Sequence, residues 1–363
     1  MARRGQRAPA ETRVRTLAPA ASGASWLGCA ARSLWSLAAL GYLLGWIGYG
    51  VLLVLGLTEV GWPSLVRELT LYLFLPLPAL LLGALLLRAR LALLCLAPVA
   101  ALFLVSYGSR LLPASLAPDS TPDSFTLLTF NAGGNAGGGY AAPLLRAVRA
   151  ADADLVALQE VPERTRPVVR AELASRYPYQ SAFADTPDMV VLSRFPLGAS
   201  SGLPLTRGAL EGFQVLVEIG ARPVYLVNVH LARPGYRLRW RGGLVPTVRA
   251  FDPRLRDAQV AELTDYLGTL SQPRLVVGDF NASEWSYTHT LLTRSLHDSF
   301  AEAGRGFGHT YPSHVAWGDW RVSLPLLRID YVLHSAELTA LAAAVGPDGG
   351  SDHLPVVARL AFR

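Results

Sequence analysis

Eight polar residues lie near the points where apolar runs end in the C-terminal two thirds of the chain. They are Asn131, Glu160, His230, Asp279, Asn281, Asp330, Asp352 and His353. Because strand ends on one rim of a layered domain converge in space, these side chains could form a single site. Any one of them alone is better explained as a turn or capping residue. Only the whole set predicts a functional site.

The residue types in this set are those of a phosphate-ester hydrolase. Carboxylates and side-chain amides are ligands for a hard cation, and both cysteines, Cys29 and Cys95, lie far outside this region. The pattern predicts Mg²⁺ or Mn²⁺ and excludes a thiolate zinc site. Such a cation neutralises a phosphate oxygen and the departing alkoxide, imidazoles bind or protonate the other phosphate oxygens, and an Asp orients or deprotonates the attacking water.

Short apolar runs alternate with helical periodicity after residue 124, which predicts a strand-rich α/β domain. Strands are predicted at residues 125–130, 155–158, 189–192, 215–219, 224–229, 275–277, 329–333 and 354–360. Helices are predicted at residues 142–151, 163–176 and 253–270, the last with Asp252 as its N-cap and Pro253 in its first turn. This region holds 23 arginines and 22 acidic residues, so most of the net charge of +6 lies before it.

The apolar excess of the chain, 51% hydrophobic against 17% charged residues, is concentrated before residue 112. Three uncharged stretches, 33–58, 69–87 and 91–109, are each close to the roughly 20 residues that cross a bilayer, and they are apolar all round. They predict a three-helix transmembrane anchor with a kink at Pro76 and Pro78. Because no ionisable Asp, Glu, His or Arg lies inside them, an anchor is favoured over an ion pathway.

Arginine placement predicts the orientation of this anchor. Several arginines precede the first stretch, and Arg88 and Arg90 fill the turn between the second and third, so both regions are expected in the cytoplasm. The chain is then divided into a cytoplasmic Arg-rich tail (1–32), the anchor (33–109), a Pro-rich linker (110–123) and a catalytic domain (124–363). This multi-pass cell-membrane protein is expected to carry its catalytic domain on the extracytoplasmic face.

Over residues 124–360 the sequence resembles the endonuclease/exonuclease/phosphatase superfamily, which includes DNase I-like nucleases, abasic-site endonucleases, sphingomyelinases and inositol-phosphate 5-phosphatases. Seven motifs occur in family order: Thr-Phe-Asn (129–131), Leu-Gln-Glu-Val (158–161), Val-Val-Leu-Ser-Arg-Phe-Pro (190–196), Asn-Val-His-Leu (228–231), Gly-Asp-Phe-Asn (278–281), Arg-Ile-Asp-Tyr-Val (328–332) and Ser-Asp-His-Leu-Pro-Val (351–356). Each motif is weak alone, but the ordered set is specific. The resemblance implies a four-layer α/β sandwich, two packed mixed sheets flanked by helices.

The resemblance also implies a metal site. Glu160 would be the principal metal ligand with Asn131 beside it, and Asp352 would complete the metal and histidine surroundings. Many repair-type members carry an Asp two residues after the first Asn, and that position is Gly133 here. A second metal ligand is therefore either absent or supplied by Asn135.

The remaining residues take catalytic roles by the same resemblance. Asp279 would orient or activate the water, and Asn281 would hold the scissile phosphate. His353 would contact a non-bridging phosphate oxygen, with Asp330 fixing its tautomer. His230 would take the second phosphate-binding histidine position, where abasic-site enzymes are expected to have Tyr.

The leading functional hypothesis is a membrane-anchored, outward-facing nuclease. Arginines after His230, with aromatic residues interleaved, suit phosphate contacts and base stacking; the predicted substrate-binding residues are Arg237, Arg239 and Arg241. The same run also fits a solvated loop. One alternative is a phospholipid- or sphingomyelin-type phosphodiesterase, which an apolar wedge near Trp317 and Trp320 would support. Others are an inositol-phosphate-type phosphatase and an inactive binding module.

Overall fold

The computed structural model describes residues 23–111, 123–133, 141–205, 211–241, 245–317 and 320–363, with the backbone alone for residues 23–25, 211, 237–241, 245–249 and 316–317. These residues divide into two compact units. One unit comprises the described residues up to Ile47 together with Pro76–Ala101, and the other comprises Gly48–Leu75 and Leu102–Arg363. The second unit contains every residue of the predicted site.

The N-terminal helices are α1 (Gly23–Val54), α2 (Gly61–Glu68), α3 (Pro76–Leu86) and α4 (Arg90–Leu111), with a 3-10 turn at Thr70–Phe74 between α2 and α3. Of these, α1 and α4 are each long and apolar enough to cross a membrane. The prediction of three such helices is therefore supported for two of them.

The predicted second span, a helix at residues 69–87 with a kink at Pro76 and Pro78, is divided in the structure into the 3-10 turn Thr70–Phe74 and the helix α3. Its α-helical part, α3, has 11 residues, which at about 1.5 Å per residue is shorter than a bilayer core of about 30 Å. Pro76 and Pro78 occupy the first turn of α3, where a proline ring cannot hydrogen-bond to the preceding turn. This region is long and apolar enough to cross a membrane only if Gly61–Glu68 and Thr70–Leu86 are counted together as one span. These two segments are bent by 72° relative to each other.

The second unit contains a strand-rich domain. Its strands are β1 (Ser124–Asn131), β2 (Leu155–Gln159), β3 (Tyr179–Phe183), β4 (Thr186–Ser193), β5 (Leu197–Gly202), β6 (Glu211–Ile219), β7 (Arg222–His230), β8 (Gly235–Arg241), β9 (Val245–Asp252), β10 (Arg274–Asp279), β11 (His297–Asp298), β12 (Val315–Trp317), β13 (Trp320–Val322), β14 (Asp330–His334), β15 (Leu338–Val345) and β16 (Val356–Phe362). Its helices are α5 (Ala141–Ala151), α6 (Arg166–Leu173), α7 (Arg254–Leu267), α8 (Tyr287–Leu292) and α9 (Ser299–Ala303).

These strands form two six-stranded sheets, in the orders β15-β16-β1-β2-β4-β3 and β11-β14-β10-β7-β6-β5, and two hairpins, β8-β9 and β12-β13. Each large sheet has a parallel pair near its centre, β1 with β2 and β7 with β10, and antiparallel pairs around it. Both sheets are therefore mixed, as expected.

Alternate strand residues fill two kinds of core. Leu127 of β1 and Leu226 of β7 belong to a cluster shared by both sheets, whereas the neighbouring Leu128 packs with α5 and α6 and Val227 packs with α7. Because both faces of each sheet are covered, the strands are apolar nearly throughout. The predicted arrangement of two packed mixed sheets flanked by helices is confirmed.

All eight predicted strands are present, and the predicted helices differ at their ends. The helix predicted at 163–176 is the shorter α6, and α7 begins one residue after Pro253, which is its N-cap residue in place of Asp252. Asp252 still caps the backbone, since its Oδ1 accepts the Arg254 N–H at 3.1 Å. The predicted N-cap is therefore wrong by one position, although the capping chemistry of Asp252 is right.

Candidate active site

Neighbouring strand ends bring the predicted residues together. Within the second large sheet, Asp279 at the end of β10 lies in register with His230 of β7 on one side and Asp330 of β14 on the other. Asn131 ends β1 of the first sheet, and its amide Nδ2 donates to Asp279 Oδ2 at 3.0 Å. This hydrogen bond joins the two sheets at the site.

Asp279 is the centre of the cluster and is fully buried. Its Oδ1 accepts the backbone N–H of Asn281 at 2.8 Å. His230 Nε2 and His353 Nε2 lie 3.6 Å and 3.7 Å from its Oδ2. One carboxylate oxygen thus faces the Asn131 amide and both imidazoles, which fixes its direction.

Glu160 lies beside this centre and is the more accessible carboxylate, with its side chain 24% exposed. Its Oε1 accepts from Asn131 Nδ2 at 3.1 Å and from Arg233 Nη2 at 3.0 Å, and His230 Nε2 lies 3.4 Å away. The backbone of Glu160 has a φ of 49°, a left-handed conformation that is costly for a residue with a side chain. This turn aims the carboxylate into the cleft.

Gly133 explains why no second carboxylate follows Asn131. A Cβ at this position would lie 2.1 Å from Glu160 Oε2, so the Glu160 carboxylate fills the space that a side chain would need. The Gly133 N–H donates to Asn131 Oδ1 at 2.9 Å, which directs the amide nitrogen of Asn131 towards the carboxylates. Asn135, the predicted substitute ligand, lies outside the described residues.

Asn281 is held in the cleft by its backbone as well as its side chain. It has a φ of 48°, and its Nδ2 donates to the Leu231 carbonyl at 2.9 Å. Nearby Gly278, with a φ of 138°, allows β10 to approach β7, because a Cβ there would lie 1.8 Å from the Val229 carbonyl oxygen. The Gly-Asp-Phe-Asn motif therefore places Asp279 and Asn281 side by side.

His353 and Asp330 form a buried pair, as the family resemblance implies. The Nδ1 atom of His353 lies 2.9 Å from Asp330 Oδ2, so Nε2 is the ring nitrogen that faces Asp279. Burial by itself would lower the pKa of His353, but the negative charges of Asp330, Asp279 and Asp352 raise that pKa to about 10. A protonated imidazole at this position suits a phosphate oxygen.

Two groups of side chains in the described part of the chain have ligand atoms close enough to hold one metal ion. They are Glu160, His230 and Asp279, and Asp279, Asp330 and His353. The first group is open to the cleft and offers carboxylate oxygens from two directions, which fits a hard divalent cation. Asp352 belongs to neither group; it is half-buried, and its backbone oxygen accepts the Ser313 N–H. Its role as a metal ligand stays a prediction.

The predicted substrate arginines, Arg237, Arg239 and Arg241, lie on β8, where the structure describes only the backbone. The sequence places Arg233 merely at the start of the arginine run after His230, yet this side chain contacts Glu160 directly. Tyr311, whose ring centre lies 4.9 Å from that of His353, is a second neighbour of the site that the sequence does not indicate. Its closeness to His230 along the chain could have predicted that Arg233 lies in the site. No feature of the sequence predicts this for Tyr311.

A cavity of about 240 Å³ opens beside His353 and Asn281. Its remaining lining is mostly apolar or aromatic: Leu65, Glu68, Leu69, Arg233, Pro234, Tyr236, Phe251, Tyr311, Leu327 and Ile329. The cavity therefore offers a phosphate-binding end and an apolar end.

Two packed mixed sheets with a carboxylate, amide and imidazole cluster at their strand ends define the metal-dependent phosphoesterase class. The sequence model of the Endonuclease/Exonuclease/phosphatase family matches residues 128–353, which is more than half of the chain. The chain belongs to this family and is a metal-dependent phosphoesterase.

The chain is similar to several solved structures. A functionally unknown conserved protein from Enterococcus faecalis is 17% identical, with a TM-score of 0.50 over 66% of this chain and 100% of that chain. An endonuclease/exonuclease/phosphatase from Beutenbergia cavernae is 20% identical, with a TM-score of 0.47 over 66% and 72%. The human Nocturnin catalytic domain is 20% identical, with a TM-score of 0.47 over 66% and 95%. No curated protein matches the chain.

Proposed function

We propose that this phosphoesterase is a membrane-anchored phosphodiesterase that uses Mg²⁺ or Mn²⁺, with its catalytic domain on the extracytoplasmic face. One observation carries the chemical part of the proposal: Glu160, Asp279 and His353 meet around a single cleft at the sheet ends. Asp279 ends β10, Glu160 directly follows β2, and His353 lies in the segment just before β16, so three separate parts of the chain supply these groups.

Glu160 would hold the metal ion, with Asp352 as the further ligand that the family resemblance implies. When bound, the cation would neutralise charge on the phosphate and on the leaving oxygen. The Asp279 carboxylate, fixed by Asn131 and Asn281, is placed to orient the attacking water and to accept its proton.

The imidazoles and the amide act on the phosphate itself. Protonated His353 donates from Nε2 to a non-bridging oxygen, while Asp330 holds its Nδ1 and its ring orientation. His230 provides the second imidazole, 3.6 Å from the same oxygen of Asp279. Asn281 would contact the phosphate at the same rim, as the family resemblance implies. Negative charge that develops on the phosphoryl oxygens would thus be stabilised by hydrogen-bond donors that the protein already holds in place.

The membrane part of the proposal predicts a protease experiment. A protease added to intact cells or spheroplasts should cut the linker at residues 110–123 and yield a fragment that begins near Phe125, since arginine placement puts the N-terminus in the cytoplasm. Gel analysis of the fragment measures this. If the chain stays uncut until the membrane is opened, the catalytic domain faces the cytoplasm.

A nucleic acid substrate is supported by the arginine run on β8, as the sequence indicated. The binding constant for duplex DNA should fall with salt concentration, and the slope of its logarithm against the logarithm of salt concentration measures the number of phosphates contacted. Changing Arg237, Arg239 and Arg241 together to Gln should make this slope shallower by about 0.9 for each phosphate that these arginines neutralise in the parent. Hydrolysis of a small soluble phosphodiester should stay near the parent rate. An unchanged slope, measured by fluorescence anisotropy, would remove the nuclease assignment.

A lipid phosphodiester is the second candidate, and a specific observation favours it. The exposed fraction of the Trp320 side chain is 76%, and Val322 and Leu324 beside it are about half exposed. An exposed apolar patch of this kind is typical of a surface that meets a membrane or a partner. This patch supports the apolar wedge expected near Trp317 and Trp320, although the Trp317 side chain lies outside the described part of the structure.

A further inference from the structure

The connection between α1 and α3 packs on the catalytic domain at the edge of the cleft. Both oxygens of Glu68, at the end of α2, are engaged: Oε1 accepts from Arg256 Nη2 at 2.6 Å, and Oε2 accepts the Ser283 N–H at 2.7 Å. Arg67 donates from Nε to the Trp285 carbonyl at 2.7 Å. These contacts lie within one compact unit and hold α2 in a defined place.

This packing reaches a residue of the predicted site. Arg256 is buried, with 1% of its surface exposed, and while one of its terminal nitrogens meets Glu68, the other donates to the backbone carbonyl of Asn281. A charge-assisted hydrogen bond of this kind is among the stronger ones in proteins. Glu68 therefore helps to position Asn281 through Arg256 and does not touch the reacting atoms itself.

The apolar residues of the same segment face the cavity. Leu65 of α2 and Leu69 just after it line one side, and the aromatic rings of Tyr236 and Phe251 line it with them. Leu65 and Leu69 are only half-buried, so each still has surface to offer a bound molecule. A substrate whose phosphate lies at His353 would place its neighbouring group against these side chains.

The surroundings of this apolar side are also apolar. Val60 and Trp62, at the start of α2, are 51% and 55% exposed. The Tyr72 hydroxyl, in the 3-10 turn that follows, donates to the carbonyl of Leu326, which adjoins the exposed hairpin β12-β13 and the cavity residue Leu327. The segment itself leaves directly from α1, a helix apolar enough to cross a membrane.

We propose that residues 61–69 form one wall of the substrate pocket and select phosphodiesters that carry an apolar substituent, the chemistry of a membrane lipid. This inference rests on the proposed phosphodiesterase function and specifies its substrate class. The wall follows within a few residues, along the chain, a helix that is apolar enough to cross a membrane, which favours a substrate of this class.

The test uses the full-length protein in detergent, with bis(p-nitrophenyl) phosphate as the reporter substrate. Methyl alkyl phosphodiesters of increasing chain length, kept below their micelle concentrations, serve as competitive inhibitors. The inhibition constant should fall about fourfold for each methylene that the wall buries. In the variant Leu65→Ser/Leu69→Ser this dependence should flatten, while the constant for the dimethyl ester stays unchanged.

Two further variants separate the wall from general damage. Leu57→Ser removes an exposed leucine of the same connection and should leave the chain-length dependence intact. Leu65→Trp fills the cavity and should weaken long-chain inhibitors selectively, so the inference remains testable even if the double variant unfolds in a thermal melt.

Different results would overturn the lipid-selective wall and the phosphodiesterase function. A chain-length dependence that is flat in the parent, or a thymidine dinucleotide that inhibits better than every alkyl ester, would overturn the lipid-selective wall while hydrolysis persists. Absence of any metal-dependent hydrolysis of the reporter would overturn the phosphodiesterase function, and the wall with it.

Discussion

Asp279→Asn is expected to lower the kcat of phosphodiester hydrolysis by about 10²-fold or more, with the domain still folded. The amide has nearly the same shape as the carboxylate, so the hydrogen bonds from Asn131 and Asn281 can be kept in part. It cannot accept the proton of an attacking water, which is the role proposed for this residue. Initial rates on bis(p-nitrophenyl) phosphate with Mg²⁺ measure the effect.

Asp265→Asn is the matched control for this variant, since Asp265 is an exposed acid on α7 that takes no part in the site. It should keep the parent rate. Wild-type kcat in Asp279→Asn, at an unchanged melting temperature, would show that the cluster around Asp279 is not the reaction centre.

Arg328→Met is expected to destabilise the catalytic domain by about 3 kcal/mol, because it leaves buried carboxylates without their shared partner. The Arg328 guanidinium is 3% exposed and donates to Asp298 and to Glu284, each at 2.7 Å. Burial would raise the pKa of Asp298, but Arg328 and His289 hold that pKa well below its usual range. Removing Arg328 therefore leaves Asp298 and Glu284 buried with less opposite charge around them, which destabilises the folded domain.

Thermal unfolding of the detergent-solubilised protein measures this loss, and about 3 kcal/mol corresponds to a melting temperature lower by roughly 6–12 °C. Arg294→Met, at an exposed position, should leave the melting temperature nearly unchanged. Equal melting temperatures for the two variants would contradict the structural role of the Arg328 cluster. Asp298 also caps α9, since its side chain accepts the backbone N–H groups of Phe300 and Ala301.

The strands were predicted well because the apolar pattern that defines each strand can be seen within a few neighbouring residues. In β1, Leu127 faces the core between the two sheets and Leu128 faces α5 and α6. Because both faces of this strand are buried, its residues form a continuous apolar run that is easy to recognise in the sequence. Polar residues at the ends of such runs, as at His230 and Asp279, then stand out. Their convergence was predictable from strand pairing, whereas their individual roles came only from the family motifs.

The segment between α1 and α3 was not predictable from the same signals. Residues 61–68 mix charged and apolar residues, a composition typical of a loop. The contacts that stabilise α2, such as the one between Glu68 and Arg256, come from residues far away in the sequence and cannot be read from this segment. The stretch at 69–87 was predicted to kink at Pro76 and Pro78, but its composition does not reveal that a separate 3-10 turn precedes Pro76 and that a new helix begins there. Composition indicates whether a stretch is apolar, but proline position and tertiary contacts decide where a helix begins and bends.

Metal dependence tests the central claim most directly. Hydrolysis of bis(p-nitrophenyl) phosphate by the full-length protein should vanish in excess chelator and return with added Mg²⁺ or Mn²⁺. In Glu160→Gln, a higher Mg²⁺ concentration should be needed for the half-maximal rate, because one charged metal ligand is removed. Full activity in excess chelator, or an unaltered Mg²⁺ requirement in Glu160→Gln, would contradict a metal-dependent phosphodiesterase centred on Glu160 and Asp279.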